Sequence, residues 1–441
     1  MHPVRTWLRP LARRLRHFAR QSHTDMQTIH TIEELDAKIA ECDRAEKQSD
    51  QALRRVFDSF RMAVPEDLPA QPLGSDYAEF QFELYQRLAG KPYRAENEVT
   101  RFDVEKSARC PWPFSTGNPL VTADQFTAVG ALLRRLDLPP GSRIVEFGPG
   151  WGNTTIPLAL LGFQVTAIDI EPRFCELIQR RATMHGVSIN TVNADFLSIE
   201  SADEPFDAAI FFECFHHASD HRRLLRALHG ALKSSGRILF GGEPISANFP
   251  MPWGLRMDGQ SLWSIRKHGW FELGFNEEYF VEALATEGWL AAKHPSGDTP
   301  IADVWEARKF TGQSQCFAAS DPRIAVPSGM RDNAGIQLRR LVKEWGFYGP
   351  YATLPAGKWR ARIRLKRGGE MSGRATIDVC TGRGQQVLVS REVDIFKLPA
   401  NTVALELDFH LPQAAGLVEA RMFCETPCTV GIEAIEFVPQ V

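Results

Sequence analysis

The sequence predicts an α/β chain built on a doubly wound parallel sheet, with helices before it and an all-β jelly-roll sandwich after it. Three observations carry this. Between about 144 and 244, short apolar runs alternate with helical patterns. The first run ends in three glycines, each one residue apart, and turns straight into a helix. Beyond about 330 the helical patterns stop, and short β-branched, alternating segments follow one another, several separated by turn residues.

In order, residues 144–147 read as the first strand and lead into Gly148-Pro149-Gly150-Trp151-Gly152-Asn153. Glycines so spaced let a ligand lie directly on the backbone, and the following helix N-terminus offers free N–H donors. A dinucleotide fingerprint would place its third glycine at 153; Asn153 stands there, and the third glycine is Gly152. Residues 164–169 read as a second strand ending in Asp169, about 20 residues beyond the glycines, where an acid binds both hydroxyls of a ribose. Its structural reading is a helix N-cap. Residues 190–195, followed by Phe196, read as the third strand, 206–213 as the fourth and 237–244 as the fifth. Helical segments at 153–162, 171–186 and 219–233 separate them.

The form E-x-G-x-G-x-G, with Glu146 ahead of Gly148, Gly150 and Gly152, resembles motif I of class I S-adenosylmethionine (SAM) dependent methyltransferases. The resemblance spans about 120–310. It implies a Rossmann-like sheet of seven strands, closed by an antiparallel hairpin that 289–295 and 304–309 supply. It also implies SAM as cofactor, held by Glu146, the three glycines and Asn153. Asp169 and Ile170 would meet the ribose, and Asp195 and Phe196 the adenine, whose amino group an acid accepts from. Glu213 would support the cofactor.

Methyl transfer is displacement at a carbon on a sulfonium, so a hydroxyl acceptor must lie in line and lose a proton. Residues 213–220 are similar to the E-x-L-x-H-x-x-D that many small-molecule O- and C-methyltransferases carry after strand four, with Phe215 for Leu. His217 matches the family histidine; it titrates near neutrality and is the first candidate base, with His216 the second. Glu243, after strand five, binds acceptor hydroxyls or assists the base. The structural reading makes His217 a loop-orienting residue and Glu243 a satisfied acid before Pro244.

Residues 248–276 form an insertion in which Trp253, Trp263 and Trp270 interleave with Arg256 and Asp258. Flat faces stack on sugar rings and charged groups bind hydroxyls or phosphate; the same residues also suit a dry lid. Residues 110–119, with Pro111, Pro113 and Pro119, cannot be regular structure and are expected to cover the cofactor and acceptor site or to pack between domains. With the glycine loop and the W-G-L-R-x-D-G of 253–259, this combination resembles methyltransferases of bacterial polysaccharide gene clusters, which implies a surface-glycan sugar as acceptor. Gly150-Trp151-Gly152 is also similar to cyclopropane fatty-acid synthases, which favours a lipid or quinone acceptor. A third reading is a non-catalytic SAM-binding scaffold.

Three regions are expected: 1–64, 65–318 and 330–441. Residues 1–20 set Trp7, Leu8, Leu11, Leu15 and Phe18 against six arginines, without an acid, and read as an amphipathic helix on an anionic membrane surface or as a flexible basic tail. Thr31 and Glu34 form a capping box, so a helix should run to about Met62. Its Leu35, Ile39, Cys42, Leu53, Val56 and Phe60 fit a heptad interrupted at Glu46 and Ser49, which reads as a homo-oligomer contact or as simple packing. The sandwich strands are expected at 358–366, 374–380, 386–393, 402–410, 418–424 and 429–437. The pattern resembles carbohydrate-binding sandwiches, with Trp345, Phe347, Tyr348 and Tyr351 either stacking on sugars or forming core. A net charge of −3 over 441 residues argues against nucleic acid as partner. Eight cysteines lack metal spacing, so no metal is expected, and the reducing cytoplasm suits them, with the chain peripheral on the inner membrane if 1–20 docks there.

Overall fold

The structure is a computed structural model and describes residues 26–98, 102–332, 335–366, 370–399 and 402–440. The expected membrane-surface helix at 1–20 lies outside the described residues. The chain divides into two compact units, one of residues up to Asn97 with Leu255–Glu272, the other of Glu98–Gly254 with Leu273–Val441.

In the first unit β1 (Gln27–Ile29) pairs in parallel with β2 (Phe60–Met62). Helix Ile32–Glu46 begins with the capping box expected at Thr31 and Glu34. The single helix predicted to Met62 is corrected to two. Helix one ends at Lys47, the Ser49 hydroxyl accepts from the Ala52 N–H to start helix Asp50–Phe57, and β2 follows. A serine at this position competes for backbone donors and favours a cap over a helix interior. The heptad is therefore not one continuous seam, and Leu35, Ile39, Cys42, Leu53 and Phe60 are buried within this unit. Helix Gly259–Lys267 is tied to the first helix by a two-pronged Arg266–Asp36 contact (2.9 and 3.1 Å) and by Lys267 to Asp43 (2.9 Å).

The second unit holds the seven-stranded sheet. Its strands are β3 (Arg143–Phe147), β4 (Gln164–Asp169), β5 (Asn190–Asn193), β6 (Phe206–Phe212) and β7 (Leu232–Gly241). Next come β8 (Ile245–Ser246), β9 (Trp253–Leu255), where the chain leaves this unit, and β10 (Leu273–Asn276), which returns and pairs in parallel with β8. The hairpin β11 (Trp289–His294) and β12 (Val304–Lys309) closes the sheet at the residues the sequence predicts. The strand order is β11-β12-β7-β6-β3-β4-β5, with β3 to β7 parallel and the hairpin antiparallel. Ala208 to Phe211 are all fully buried, as expected of a central strand covered on both faces. Leu132 and Leu136 of helix Pro119–Leu136, Ile156 and Ile178 pack with Ile144, Ile210 and Leu239 on one side.

An all-β region completes this unit: β13 (Gln315–Ala318), β14 (Arg331–Asp332), β15 (Gly335–Leu341), β16 (Glu344–Phe347), β17 (Ala352–Leu354), β18 (Gly357–Leu365), β19 (Arg374–Thr381), β20 (Gln386–Asp394), β21 (Ala404–Leu411), β22 (Ala415–Cys424) and β23 (Cys428–Gln440). One antiparallel sheet runs β14-β15-β23-β18-β21 and the other β16-β22-β19-β20. Trp359, Ile363, Leu407 and Phe437 of the first share one core with Phe347, Val379, Val418 and Met422 of the second. Phe347 is thus core, whereas Tyr348 is 38% exposed and Trp345 lies half-buried under the Arg421 guanidinium, 4.5 Å from its ring.

Candidate active site

The order of the parallel strands reverses at β3, whose neighbours are β6 and β4, and the crevice outside their C-terminal ends is where such sheets bind ligands. The glycine turn leaves β3 there. Gly148, Gly150 and Gly152 all have left-handed backbone, φ +52°, +49° and +72°. A Cβ on Gly148 would lie 2.7 Å from Cys214 Cβ, while the nearest atom to one on Gly150 is 3.9 Å away. Glu146 is buried beneath the turn and accepts from the Thr154 hydroxyl. Burial pushes its carboxyl up to about 7, opposed by the Thr154 and Thr155 hydroxyls. Through that bond it shapes the turn. Asn153 Nδ2 donates to the Trp112 carbonyl (2.8 Å), which fastens the proline-tryptophan loop onto the glycine turn.

Asp169 ends β4 with a carboxylate 6% exposed, and its two oxygens accept from the Gly150 N–H (3.2 Å) and the Glu171 N–H (2.9 Å). Burial raises it to about 6 against those two bonds. Asn193 Nδ2 donates to the carbonyls of Asp169 (3.0 Å) and Ile170 (2.9 Å), so the end of β5 clamps the end of β4. Asp195 is exposed and caps the short helix Phe196–Ser201 by accepting from the Leu197 N–H (2.7 Å). The Phe196 ring meets Phe147 edge-on, 5.6 Å between centroids, and borders Gly148. Glu213 follows β6 at φ +54° and accepts from Gln125 Nε2 (2.8 Å); burial raises its pKa.

Glu243 organises the turn after β6. One oxygen accepts from the N–H groups of Cys214 (2.9 Å) and Phe215 (2.8 Å). The other accepts from the His216 N–H (3.2 Å) and lies 2.9 Å from His216 Nδ1. Burial pushes this carboxyl up to about 7, opposed by the three N–H bonds. The His216 and His217 rings lie side by side, 4.3 Å between centroids. His217 Nδ1 is 3.4 Å from Glu98 Oε2. The histidines predicted as bases and the acid predicted to assist them thus share one turn, across the switch point from the glycines.

Residues 145–240 match a family described as "Methyltransferase domain". That stretch, from β3 to the end of β7, is therefore similar to a methyltransferase domain. Over 100 residues it is 36% identical to a ubiquinone biosynthesis O-methyltransferase of Methylocella silvestris, covering 23% of this chain and 39% of that protein. Over 102 residues it is 31% identical to the protein of the same name from Xanthomonas axonopodis pv. citri, covering 23% and 42%. The chain spans about two fifths of the length of these curated relatives. Among solved structures, the magnesium protoporphyrin IX methyltransferase of Synechocystis PCC 6803 is 18% identical with a TM-score of 0.32, covering 56% of this chain and 100% of that one.

The site also gains residues that no motif marks. Glu98, Gln125, Asn193 and Arg181 reach the site from helices and strand ends remote in sequence; the Arg181 guanidinium donates to the Trp151 carbonyl and lies 3.4 Å from Asn153 Oδ1. Five predicted acceptor contacts have other engagements. Trp253 is only 3% exposed and packs on His221, 4.7 Å between centroids, so it presents no face to a sugar. Arg256, Asp258, Trp263 and Trp270 belong to the first unit. Asp258 caps helix Gly259–Lys267, accepting from the Ser261 N–H and, at 3.0 Å, from Arg256 Nε. Trp263 donates to Asp43 (3.3 Å) beneath the Lys267 ammonium, and Trp270 stacks on His268 at 4.7 Å. Trp253 is thus core of the second unit, while Trp263 and Trp270 are engaged by residues of the first.

Proposed function

We propose that this chain is a SAM-dependent O-methyltransferase acting on a hydroxyl of a surface-glycan sugar. The observation that carries the reading is His217, set beside Glu98 across the switch point from the glycine turn. The residues present fit the cofactor: the turn is free of side chains at three left-handed positions, and a buried carboxylate, Asp169, ends the neighbouring strand. SAM supplies an electrophilic methyl carbon. In this reading the turn and helix Thr155–Leu160 receive its charged end, Asp169 takes the ribose hydroxyls, and Asp195 accepts from the adenine amino group. Glu213, held by Gln125, closes the floor, and His217 takes the acceptor's proton. A sugar acceptor is favoured by the all-β region, where Trp345 lies under Arg421, itself paired with Asp378 (2.7 Å), and where Tyr348 is exposed. Residues 1–20 would hold the enzyme at the cytoplasmic face of the inner membrane.

A second reading, a quinone or lipid acceptor, draws on the names of the curated relatives and on Phe114, Leu120 and Phe126, 45%, 69% and 60% exposed beside the loop that meets the glycine turn. Transfer from radiolabelled SAM into the host's glycan fraction and into its lipid extract tests both. Label in glycan, absent with Asp169→Ala, supports the first; label in lipid replaces it with the second; label in neither leaves the scaffold reading.

A further inference from the structure

We infer that Gln125 and Glu213 form an acceptor-only seat for the ammonium group at the amino-acid end of SAM. This rests on the cofactor of the proposed reaction and gives Gln125, which no motif marks, a ligand. Gln125 comes from helix Pro119–Leu136 and is 3% exposed. Its Nε2 donates to Glu213 Oε2 (2.8 Å), and its Oε1 is buried without a hydrogen bond. A carboxylate only accepts, so the amide turns its nitrogen to Glu213 and leaves its oxygen over. Glu213 Oε1 likewise makes no hydrogen bond among the described residues. A buried acceptor left unbonded is costly, so two acceptors on groups already in contact call for a donor.

Place and charge agree. β4 and β6 flank β3 on opposite sides. In the proposed reading the ribose lies at Asp169, at the end of β4, and the glycine turn leaves β3, so the amino-acid end of the cofactor reaches toward β6. Phe211 of β6 pairs with Phe147 of β3, and Glu213 stands two residues further on. Its neighbour Cys214 closes against Gly148, where an added Cβ would lie 2.7 Å from Cys214 Cβ. Glu213 is a carboxylate without a counter-charge. Burial raises its pKa, the Gln125 bond lowers it, and the charge that bears on it, Glu243, is a second acid that raises it. No lysine or arginine pairs with it among the described residues. An ammonium group has N–H donors, no acceptor and a positive charge, so it satisfies both oxygens and supplies the missing cation. Glu146 is the rival: its Oε2 is also unbonded, but it is 1% exposed beneath the turn, with its other oxygen taken by the Thr154 hydroxyl.

Calorimetry on the full chain tests this without any acceptor. The probes are S-adenosylhomocysteine (SAH), which keeps the amino-acid end, and the SAH analogue that lacks the amino group. Wild type should bind SAH about 10–100-fold more tightly than the analogue, the worth of hydrogen bonds to a charged group. Gln125→Met and Glu213→Gln should each weaken SAH about tenfold or more and leave the analogue bound as in wild type, so the preference shrinks. Glu213→Gln keeps the side chain's shape and carries the test if the helix variant fails to fold. Equal affinities for the two ligands in wild type overturn the seat. Variants that weaken both ligands equally, or that keep the wild-type preference, overturn the assignment, and loss of the preference in Glu146→Gln instead passes the seat to Glu146. A wild-type chain that binds neither SAM nor SAH overturns the proposed enzyme itself, and the seat with it.

Discussion

Alanine at Gly148 and at Gly150 separates the two tasks of the glycine turn. Both residues have left-handed backbone, φ +52° and +49°, so any side chain there costs about 1–2 kcal/mol. At Gly148 the new carbon would also lie 2.7 Å from Cys214 Cβ and 3.1 Å from its sulfur, at a residue 4% exposed. Overpacking of this kind adds about 1–3 kcal/mol. The total of about 2–5 kcal/mol is a large share of the roughly 5–15 kcal/mol that holds a domain together. At Gly150 the nearest atom is 3.9 Å away, so only the backbone cost applies. Gly186, at φ +65° beyond helix Pro172–His185 with nothing within 4 Å, is the control. In urea unfolding, Gly150→Ala and Gly186→Ala should each lose about 1–2 kcal/mol and Gly148→Ala about 2–5. In calorimetry with SAM, Gly186→Ala should keep wild-type affinity while Gly150→Ala loses about tenfold or more, because its methyl stands where the ligand meets the backbone. A Gly150→Ala chain that binds SAM as tightly as wild type refutes the cradle. A Gly148→Ala chain as stable as Gly186→Ala refutes the packing argument.

Two further outcomes are expected. Asp169→Asn keeps the shape and removes the charge, so SAM affinity should fall about 10–100-fold, the worth of hydrogen bonds to a charged acceptor; because Asp169 titrates at about 6, wild-type affinity should also weaken as pH drops below that value, and calorimetry at pH 7.5 and about 5 checks both. His221, 2.8 Å from the Tyr279 hydroxyl, is pushed by burial from 6.5 to about 3. The unfolded chain therefore takes a proton near 6.5 that the folded chain refuses. Stability is full above 6.5 and falls as pH drops toward 3, by at most about 1.4 kcal/mol per pH unit, and His221→Gln should flatten that slope in urea unfolding.

Much of the sheet was legible because period and punctuation agree there. The strand at 164–169 and the hairpin strand at 304–309 fall where predicted, as buried runs bounded by turns must. The sandwich strands are equally plain, since β18, β19 and β23 alternate inward and outward along much of their length. The helix over 31–62 was over-extended because heptad spacing continued through Ser49, where a local cap stops the helix. The carriers of chemistry were half legible. Asp169 and His217 sit at strand ends within motifs, but Glu98 meets His217 only through tertiary folding, and no local pattern signals such a pair. Trp253 misled for the opposite reason: an aromatic near charges has the same composition whether it meets a ligand or the core.

The most direct test of the account is single-turnover methyl transfer by wild type and His217→Gln, with SAM affinity measured on both. The account predicts label transferred by wild type, transfer slowed about 100-fold or more by the variant, and equal SAM affinity in the two. Equal transfer rates would remove His217 as the base, and SAM binding without transfer in wild type would contradict the proposed enzyme.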